Sequence, residues 1–310
     1  MILTVTLNAA LDVTYEVDAL VPRGSHRVRA VHERAGGKGV NVARVLSALG
    51  TPATVTGLAG GPTGQLVRDE LRTAGLRDEL VPMAGDSRRT VTVVSRDDGD
   101  ATVFNQPGPH VDRAAWADFA ARFARLVREA AVVVLSGSLP PGLPSDAYAR
   151  LVRTAAAAGA STVLDTSGPA LTAALAAGPT VVKPNTAEIA DVTGHEDVVA
   201  AAEALRARGA QAVVASRGPE GLYAVTPDGA WRATPPRRLS GNPTGAGDAC
   251  VAALAASLAS GEPWPVRLRE AVALSAAAVP CPMAGDVDRD IYDQFRTTVS
   301  VENTHASDIH

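Results

Sequence analysis

The chain has 310 residues, 46% hydrophobic and 4% aromatic, with a formal net charge of −4. That length admits one large domain or two small ones, and so apolar a composition can bury a sizeable core. The negative balance, short basic clusters (His26-Arg27-Val28-Arg29 and Pro236-Arg237-Arg238) and scarcity of aromatics argue against nucleic acid as a partner.

In chain order, short β-branched runs end at Gly or Pro breaks and give way to amphipathic Ala, Leu and Arg stretches. Strands are expected at Ile2–Leu7, Ala53–Thr56, Ala131–Leu135, Thr162–Leu164, Val181–Val182 and Ala212–Ala215. Helical spacing falls at Val40–Leu49, Gly64–Ala74, Arg113–Glu129, Asp146–Ala158, Val198–Arg208 and Ala249–Ala259. The alternation predicts an α/β fold, a mostly parallel sheet covered by helices on both faces, or three α/β/α layers. Ligands of such sheets gather beyond the carboxyl ends of the strands. Two segments break the pattern. About 13–34 and 88–106 alternate residues around turn clusters, Pro22-Arg23-Gly24 and Asp97-Asp98-Gly99-Asp100, and read as hairpins of a small accessory sheet. Alone they bury too little, so they need a partner surface at a site mouth or on a second subunit. The polar tail at 299–310 is expected to fray.

The leading MILTVTLNAALD has no basic lead and a short apolar part, so no secretory signal is expected there. No apolar run approaches the ~20 residues of a membrane helix, which makes the cytoplasm the expected location. Cys250 and Cys281 stand alone, which excludes a disulfide framework or CxxC site. The six histidines lack HxxxH or HExxH spacing and are assigned no catalytic or metal role.

The most informative run is Asn242-Pro243-Thr244-Gly245-Ala246-Gly247-Asp248, just before a helix. Small residues there leave backbone N–H groups bare at a helix start, which suits an anion. An acid beside a bound phosphate suits a base that accepts a proton from an attacking hydroxyl. Taken alone, Asp248 also fits a favourable first-turn acid with glycines as punctuation. A dinucleotide fingerprint fails, because Cys250 stands where the third Gly belongs and no apolar strand precedes. Gly36-Gly37-Lys38-Gly39-Val40-Asn41 opens another helix with a point charge; it lacks the Gly-Lys-Ser/Thr of a Walker loop and equally suits a plain glycine turn. In Lys183-Pro184-Asn185-Thr186-Ala187-Glu188, the amide and carboxylate can organise Mg²⁺-bound water and phosphate oxygens, or simply form a capping box. Ser136-Gly137-Ser138 puts hydroxyls in the crevice, and Asp12 falls in the same layer. Arg88 and Arg89 open the second hairpin and can pair with a phosphate, though isolated arginines are usually solvated surface.

These runs, taken together and in order, resemble the ribokinase-like sugar kinases, specifically their phosphofructokinase B branch. The resemblance is carried by N-A-A-L-D at 8–12, G-G-K-G-V-N at 36–41, S-G-S-L-P-P-G at 136–142, L-D-T-S-G at 164–168, K-P-N-T-A-E at 183–188, S-R-G-P-E-G at 216–221 and T-G-A-G-D at 244–248. With Lys38 in its first glycine run, the chain looks most similar to the 1-phosphofructokinase and tagatose-6-phosphate kinase group. The resemblance implies one ribokinase-like domain over 1–298, with the hairpins as a lid. It implies Asp248 as catalytic base, with Gly245, Ala246 and Gly247 as an anion hole. Lys183, Asn185 and Glu188 would serve ATP and Mg²⁺, Glu188 reaching the metal through water, while Ser216, Gly218 and Gly221 lie along ATP. Asp12, Gly37, Lys38, Asn41, Arg89 and Ser138 would contact the sugar phosphate, and Arg27 would reach it across a homodimer joined by the lids. Arg217, where the family often has Leu or Met, and Val279-Pro280-Cys281-Pro282-Met283 depart from the family pattern on the nucleotide side. The implied reaction is MgATP-dependent phosphorylation of a ketohexose phosphate, with fructose 1-phosphate the leading candidate. Tagatose 6-phosphate, fructose 6-phosphate, an unphosphorylated sugar and a non-catalytic sugar-phosphate regulator are the alternatives.

Overall fold

The computed structural model describes residues 1–97 and 99–304. Asp98 of the second turn cluster and 305–310, which carry His305 and His310, lie outside the described residues. The chain opens with β1 (Ile2–Thr6), β2 (Ala10–Val17), β3 (Ala30–Gly36), α1 (Lys38–Ala48), β4 (Ala53–Ala59), α2 (Gly61–Thr73) and β5 (Arg77–Pro82). It continues through β6 (Arg88–Ser95), β7 (Ala101–Asn105), α3 (Arg113–Leu126), β8 (Val132–Ser136), α4 (Ala147–Ala157), β9 (Ser161–Asp165) and α5 (Gly168–Leu175). There follow β10 (Val181–Val182), α6 (Thr186–Thr193), α7 (Val198–Ala207), β11 (Ala212–Ser216), β12 (Leu222–Thr226) and β13 (Gly229–Thr234). Last come α8 (Ala246–Ala259), α9 (Trp264–Ala278), α10 (Arg289–Thr298) and β14 (Ser300–Thr304).

The main sheet has ten strands in the order β14-β13-β12-β11-β10-β9-β8-β1-β4-β5. Pairing is parallel from β5 to β11 and antiparallel from β11 out to β14. Its central strands are apolar on both faces because both are covered. Val133 and Leu135 share a buried cluster with Phe119, Phe123 and Tyr148 from α3 and α4. The alternate residues Val132 and Val134 belong to a second cluster with Val45 of α1, Val251 of α8 and Leu268 of α9. The period-2 alternation of strand side chains makes this division, and the three-layer sandwich follows from it.

The expected hairpins form a single second sheet in the order β3-β2-β6-β7. β2 runs antiparallel to β3 and parallel to β6, which runs antiparallel to β7. One face of β2 and β3 packs on α2: Leu11, Val13 and Ala35 are buried with Val67 and Leu71. The opposite face is left to look back at the carboxyl ends of the main strands.

Four strands were not anticipated. β5 is charged and half-exposed at a sheet edge, so it lacks an apolar run. β12 and β13 form a hairpin across Pro227-Asp228, and the Asp228-Gly229 pair was its legible signal. The fourth corrects the reading of the tail: Ser300–Thr304 does not fray but pairs with β13 as β14. Polar side chains misled there because an edge strand is held chiefly by backbone hydrogen bonds. Removing 300–310 is expected to lower the melting midpoint by roughly 2–8 °C, for about 1–2 kcal/mol of lost strand pairing. An unchanged calorimetric midpoint would mean that β14 contributes nothing to stability.

Candidate active site

A cleft of about 1640 Å³ lies beyond the carboxyl ends of β1, β8, β9, β10 and β11, walled on one side by the small sheet. Thr6, Ser136, Asp165, Lys183 and Ser216, each at or just past a strand end, line it. From the small sheet come Asp12, Thr14, Arg34, Arg88, Thr90 and Thr92.

Gly245 caps α8 at φ 90°. A Cβ at Gly245 would come within 2.8 Å of Ala284 Cα, so only glycine fits this turn. The N–H groups of Gly245 and Gly247 therefore stand at the positive end of a fourteen-residue helix, while that of Ala246 donates to the Pro243 carbonyl at 3.1 Å. Asp248 sits in that first turn, 6% exposed, and its Oδ2 accepts a hydrogen bond of 2.8 Å from Asn41 Nδ2. Burial, then the nearby Asp165 carboxylate, push the Asp248 acid up to about 7, against the opposing pull of Lys38, Asn41 and Lys183. An ordinary helix-start acid would be solvated and strongly ionised. This one is dry and poised near neutrality, the condition of a general base.

Asp165, at the end of β9, is the site residue that sequence reasoning missed as an individual. It is 1% exposed; its Oδ2 accepts from Lys38 Nζ at 3.1 Å and Ser136 Oγ at 3.2 Å, and its Oδ1 faces Lys183 Nζ at 3.4 Å. Burial alone would raise its pKa, but Lys183 and Lys38 beside it hold the carboxyl below the usual range. The same carboxylate raises both lysines above their ordinary values, against burial. An acid ending an apolar parallel strand was the available signal.

The acceptor side gathers most of the residues expected there. Asp12 is raised by burial, which outweighs the Thr90 hydroxyl and the arginines at 88, 44 and 34. Gly36 leaves room for that carboxyl, which would have to move if a side chain were added, since a Cβ there would stand 2.0 Å from Asp12 Oδ2. Gly37 caps α1 at φ 100°, presenting Lys38 and Asn41. Ser138 Oγ accepts from Asn8 Nδ2 at 3.1 Å, and Asn8 also reaches the Pro107 carbonyl. One expectation differs. Arg89 is exposed and does not line the cleft; Arg88 does, donating to the Asn8 carbonyl at 3.1 Å and Thr90 Oγ1 at 3.2 Å. The reason is the pleat: in the parallel register Ala10 faces Arg88 and Asp12 faces Thr90, so Arg89 turns with Leu11 to the other side. Arg27 is exposed on the loop between β2 and β3, outside the cleft of its own chain.

On the nucleotide side, Lys183, Asn185, Glu188, Ser216, Gly218 and Gly221 all line the cleft. Asn185 and Glu188 form the capping box that was their plainer reading: Asn185 Oδ1 accepts from Glu188 N–H at 2.9 Å, and Glu188 Oε2 from Asn185 N–H at 2.8 Å. Arg217, the departure from the family pattern, pairs with Glu220 at 2.6 Å. Its charge is thus answered within the turn. Among the described residues no three His, Cys, Asp or Glu side chains cluster to hold a metal, and no helix is long and apolar enough to cross a membrane.

Comparison with known proteins agrees with this geometry. The family model described as pfkB family carbohydrate kinase matches residues 5–289. The chain is 43% identical to a 1-phosphofructokinase of Xanthomonas campestris pv. campestris over 265 residues, 83% of each chain. It superposes on Escherichia coli phosphofructokinase-2 in complex with potassium with a TM-score of 0.90, at 30% identity over 96% of this chain and 98% of that one. The fructose-6-phosphate complex of the same enzyme gives a TM-score of 0.88, with the same identity and coverage.

The raised acid has a cost in stability with a definite sign. Below the ordinary carboxylate pKa of about 3.9, Asp248 is protonated folded and unfolded and costs nothing. Stability is lost as pH rises from there to about 7, because only the unfolded chain ionises freely. The Asp248→Asn variant is therefore expected to melt above the wild type, by a margin that grows between pH 5 and pH 8. A margin independent of pH in thermal melts would contradict the raised pKa.

Proposed function

This chain belongs to the pfkB family of ATP-dependent carbohydrate kinases, and we propose that it phosphorylates a ketohexose phosphate, fructose 1-phosphate at its 6-hydroxyl, to give fructose 1,6-bisphosphate. The observation that carries this reading is the dry Asp248, bonded to Asn41 in the first turn of α8, in one cleft with the cations Lys38 and Arg88. An acceptor with phosphate at one end and a hydroxyl at the other fits both. The identity to a 1-phosphofructokinase supports the choice of sugar.

In the proposed reaction the acceptor lies against Asp12, Ser138 and the small sheet, its own phosphate toward Lys38 and Arg88. ATP lies along Ser216, Gly218 and Gly221, with its phosphates toward Lys183 and the amides of Gly245 and Gly247. The acceptor oxygen bonds to the γ-phosphorus, the bond from that phosphorus to the β–γ bridging oxygen breaks, and ADP leaves. The hydroxyl proton passes to Asp248. A loose transition state needs the proton accepted late, so a base near neutrality suffices, while the anion hole stabilises the equatorial oxygens. Mg²⁺, when it arrives on ATP, neutralises phosphate charge. The absence of a three-ligand cluster among the described residues suits an ion that keeps its waters, with Glu188 holding one of them.

The lid supports a second element of the proposal, a homodimer. Val21, Val28, Val31, Val103 and Phe104 are exposed large hydrophobics of the small sheet and its loop. A second copy covering them would bring Arg27 to a neighbouring cleft. Sedimentation giving a monomeric mass at assay concentrations would refute it.

Asp248→Asn is expected to lower kcat by at least about 10²-fold with KM little changed. Arg88→Ala is expected to raise KM for the sugar phosphate about tenfold or more, equivalent to ~1.4 kcal/mol, while Arg89→Ala leaves it within about twofold. A coupled assay of fructose 1-phosphate, tagatose 6-phosphate, fructose 6-phosphate and free fructose decides the acceptor. Higher kcat/KM for free fructose than for every phosphate would sink the reading.

A further inference from the structure

The loop at 283–286 touches three parts of the active site. Ala284 lies against Gly245, where an added Cβ would also come within 3.3 Å of Gly285 N. Gly285, at φ 89°, packs on α1: a Cβ there would meet Arg44 Cδ at 3.0 Å and Asn41 Cα at 3.4 Å. Asp286 Oδ1 accepts from Arg34 Nη2 at 2.7 Å, and the Ala284 carbonyl accepts from Arg34 Nη1 at 3.4 Å.

Arg34 comes from the small sheet, where it stands opposite Asp12 in the β2–β3 register. Its side chain lines the cleft and is only 17% exposed. One planar guanidinium therefore runs from the acceptor wall to the loop beneath the anion hole. Its neighbour Arg44 is engaged elsewhere, with Glu70 and the Ala35 carbonyl, so it does not compete for Asp286. Two donors on two acceptors of one loop fix orientation as well as distance, which a lysine ammonium would not do.

We propose that Arg34 is a positioning residue for phosphoryl transfer. By gripping Ala284 and Asp286 it holds Gly245, and with it the hole amides, in register with the sheet that meets the acceptor. This rests on the reading of Gly245–Gly247 as the anion hole. Arg34 acts on the transition state through the loop rather than by touching the phosphate, so its loss lowers kcat and leaves substrate affinity nearly intact. Displacing a preorganised donor by even an ångström costs up to about 10²-fold in rate.

The test is steady-state kinetics on Arg34→Gln, Asp286→Asn and the double variant, with ATP and the best sugar phosphate. Each single variant is expected to lose about tenfold or more in kcat, with both KM values within about twofold. The double variant should lose no more than the worse single, because both changes open the same contact. Arg34→Lys, which keeps charge but not the fork, should recover only part of the loss. A large rise in sugar-phosphate KM for Arg34→Gln, with Asp286→Asn behaving as wild type, would make Arg34 a direct substrate ligand and overturn the proposal. Additive losses, or unchanged kcat in both singles, would also overturn it. Should Arg34→Gln fail to fold, Asp286→Asn carries the test alone, since that side chain is 39% exposed and its replacement isosteric. Turnover of the wild type in the same series reports on the kinase reading separately.

Discussion

A fully buried carboxylate facing two lysines is the interaction on which the cleft depends. Asp165 holds Lys38 of α1 and Lys183 just past β10, and raises both above their ordinary values against burial. In the proposed reaction, a polyanionic donor and an anionic acceptor need positive charge in a dry place. Two lysines alone there would repel each other. One shared acid settles both difficulties and draws the two halves of the site together. It has a further effect, because its negative charge adds to burial in keeping the Asp248 proton on until near neutrality. Asp248 and the two lysines are thus tuned by one group.

The geometry around that group is set by backbone positions more than by side-chain choice. Asp165, Lys183 and Ser216 arrive together because β9, β10 and β11 lie side by side and parallel, so that their carboxyl ends share an edge. The proposed anion hole arises where a left-handed glycine starts α8 against a loop that leaves no room for a side chain at Gly245. Stability is given up at both places, in buried charge and in glycine entropy, which is the usual condition of a site kept ready for a transition state. The extensive apolar layers on either face of the sheet supply what is lost.

Much of this was legible in the chain. Alternating β-branched and amphipathic runs predicted the layered sheet, since burial on both faces demands apolar residues at every position of a central strand. Glycines at 245 and 247 before an alanine-rich run marked the start of α8, with Asp248 in its first turn. The ordered runs at 36–41, 183–188 and 244–248 pointed to a sugar kinase, and the family match agrees. Edge elements were less legible: β5 and β14 carry charge and polarity because half of each meets water, and so they have no apolar signature.

Residue types and their spacing by themselves pointed to the carbohydrate-kinase family and the sheet that carries the site, and led to the proposal of a base beside a phosphate-binding turn with cations for a second phosphate. Tertiary structure alone decided which side chains meet. The parallel register of β2 and β6 turned Arg88 into the cleft and Arg89 away, a choice between adjacent identical residues that only the pleat can make. The placing of α1 against α8 gave Asp248 its partner Asn41, 207 positions away in the chain. The raised pKa of Asp248 belongs to the fold as well, because desolvation and a neighbouring carboxylate from β9 exist only once the layers close.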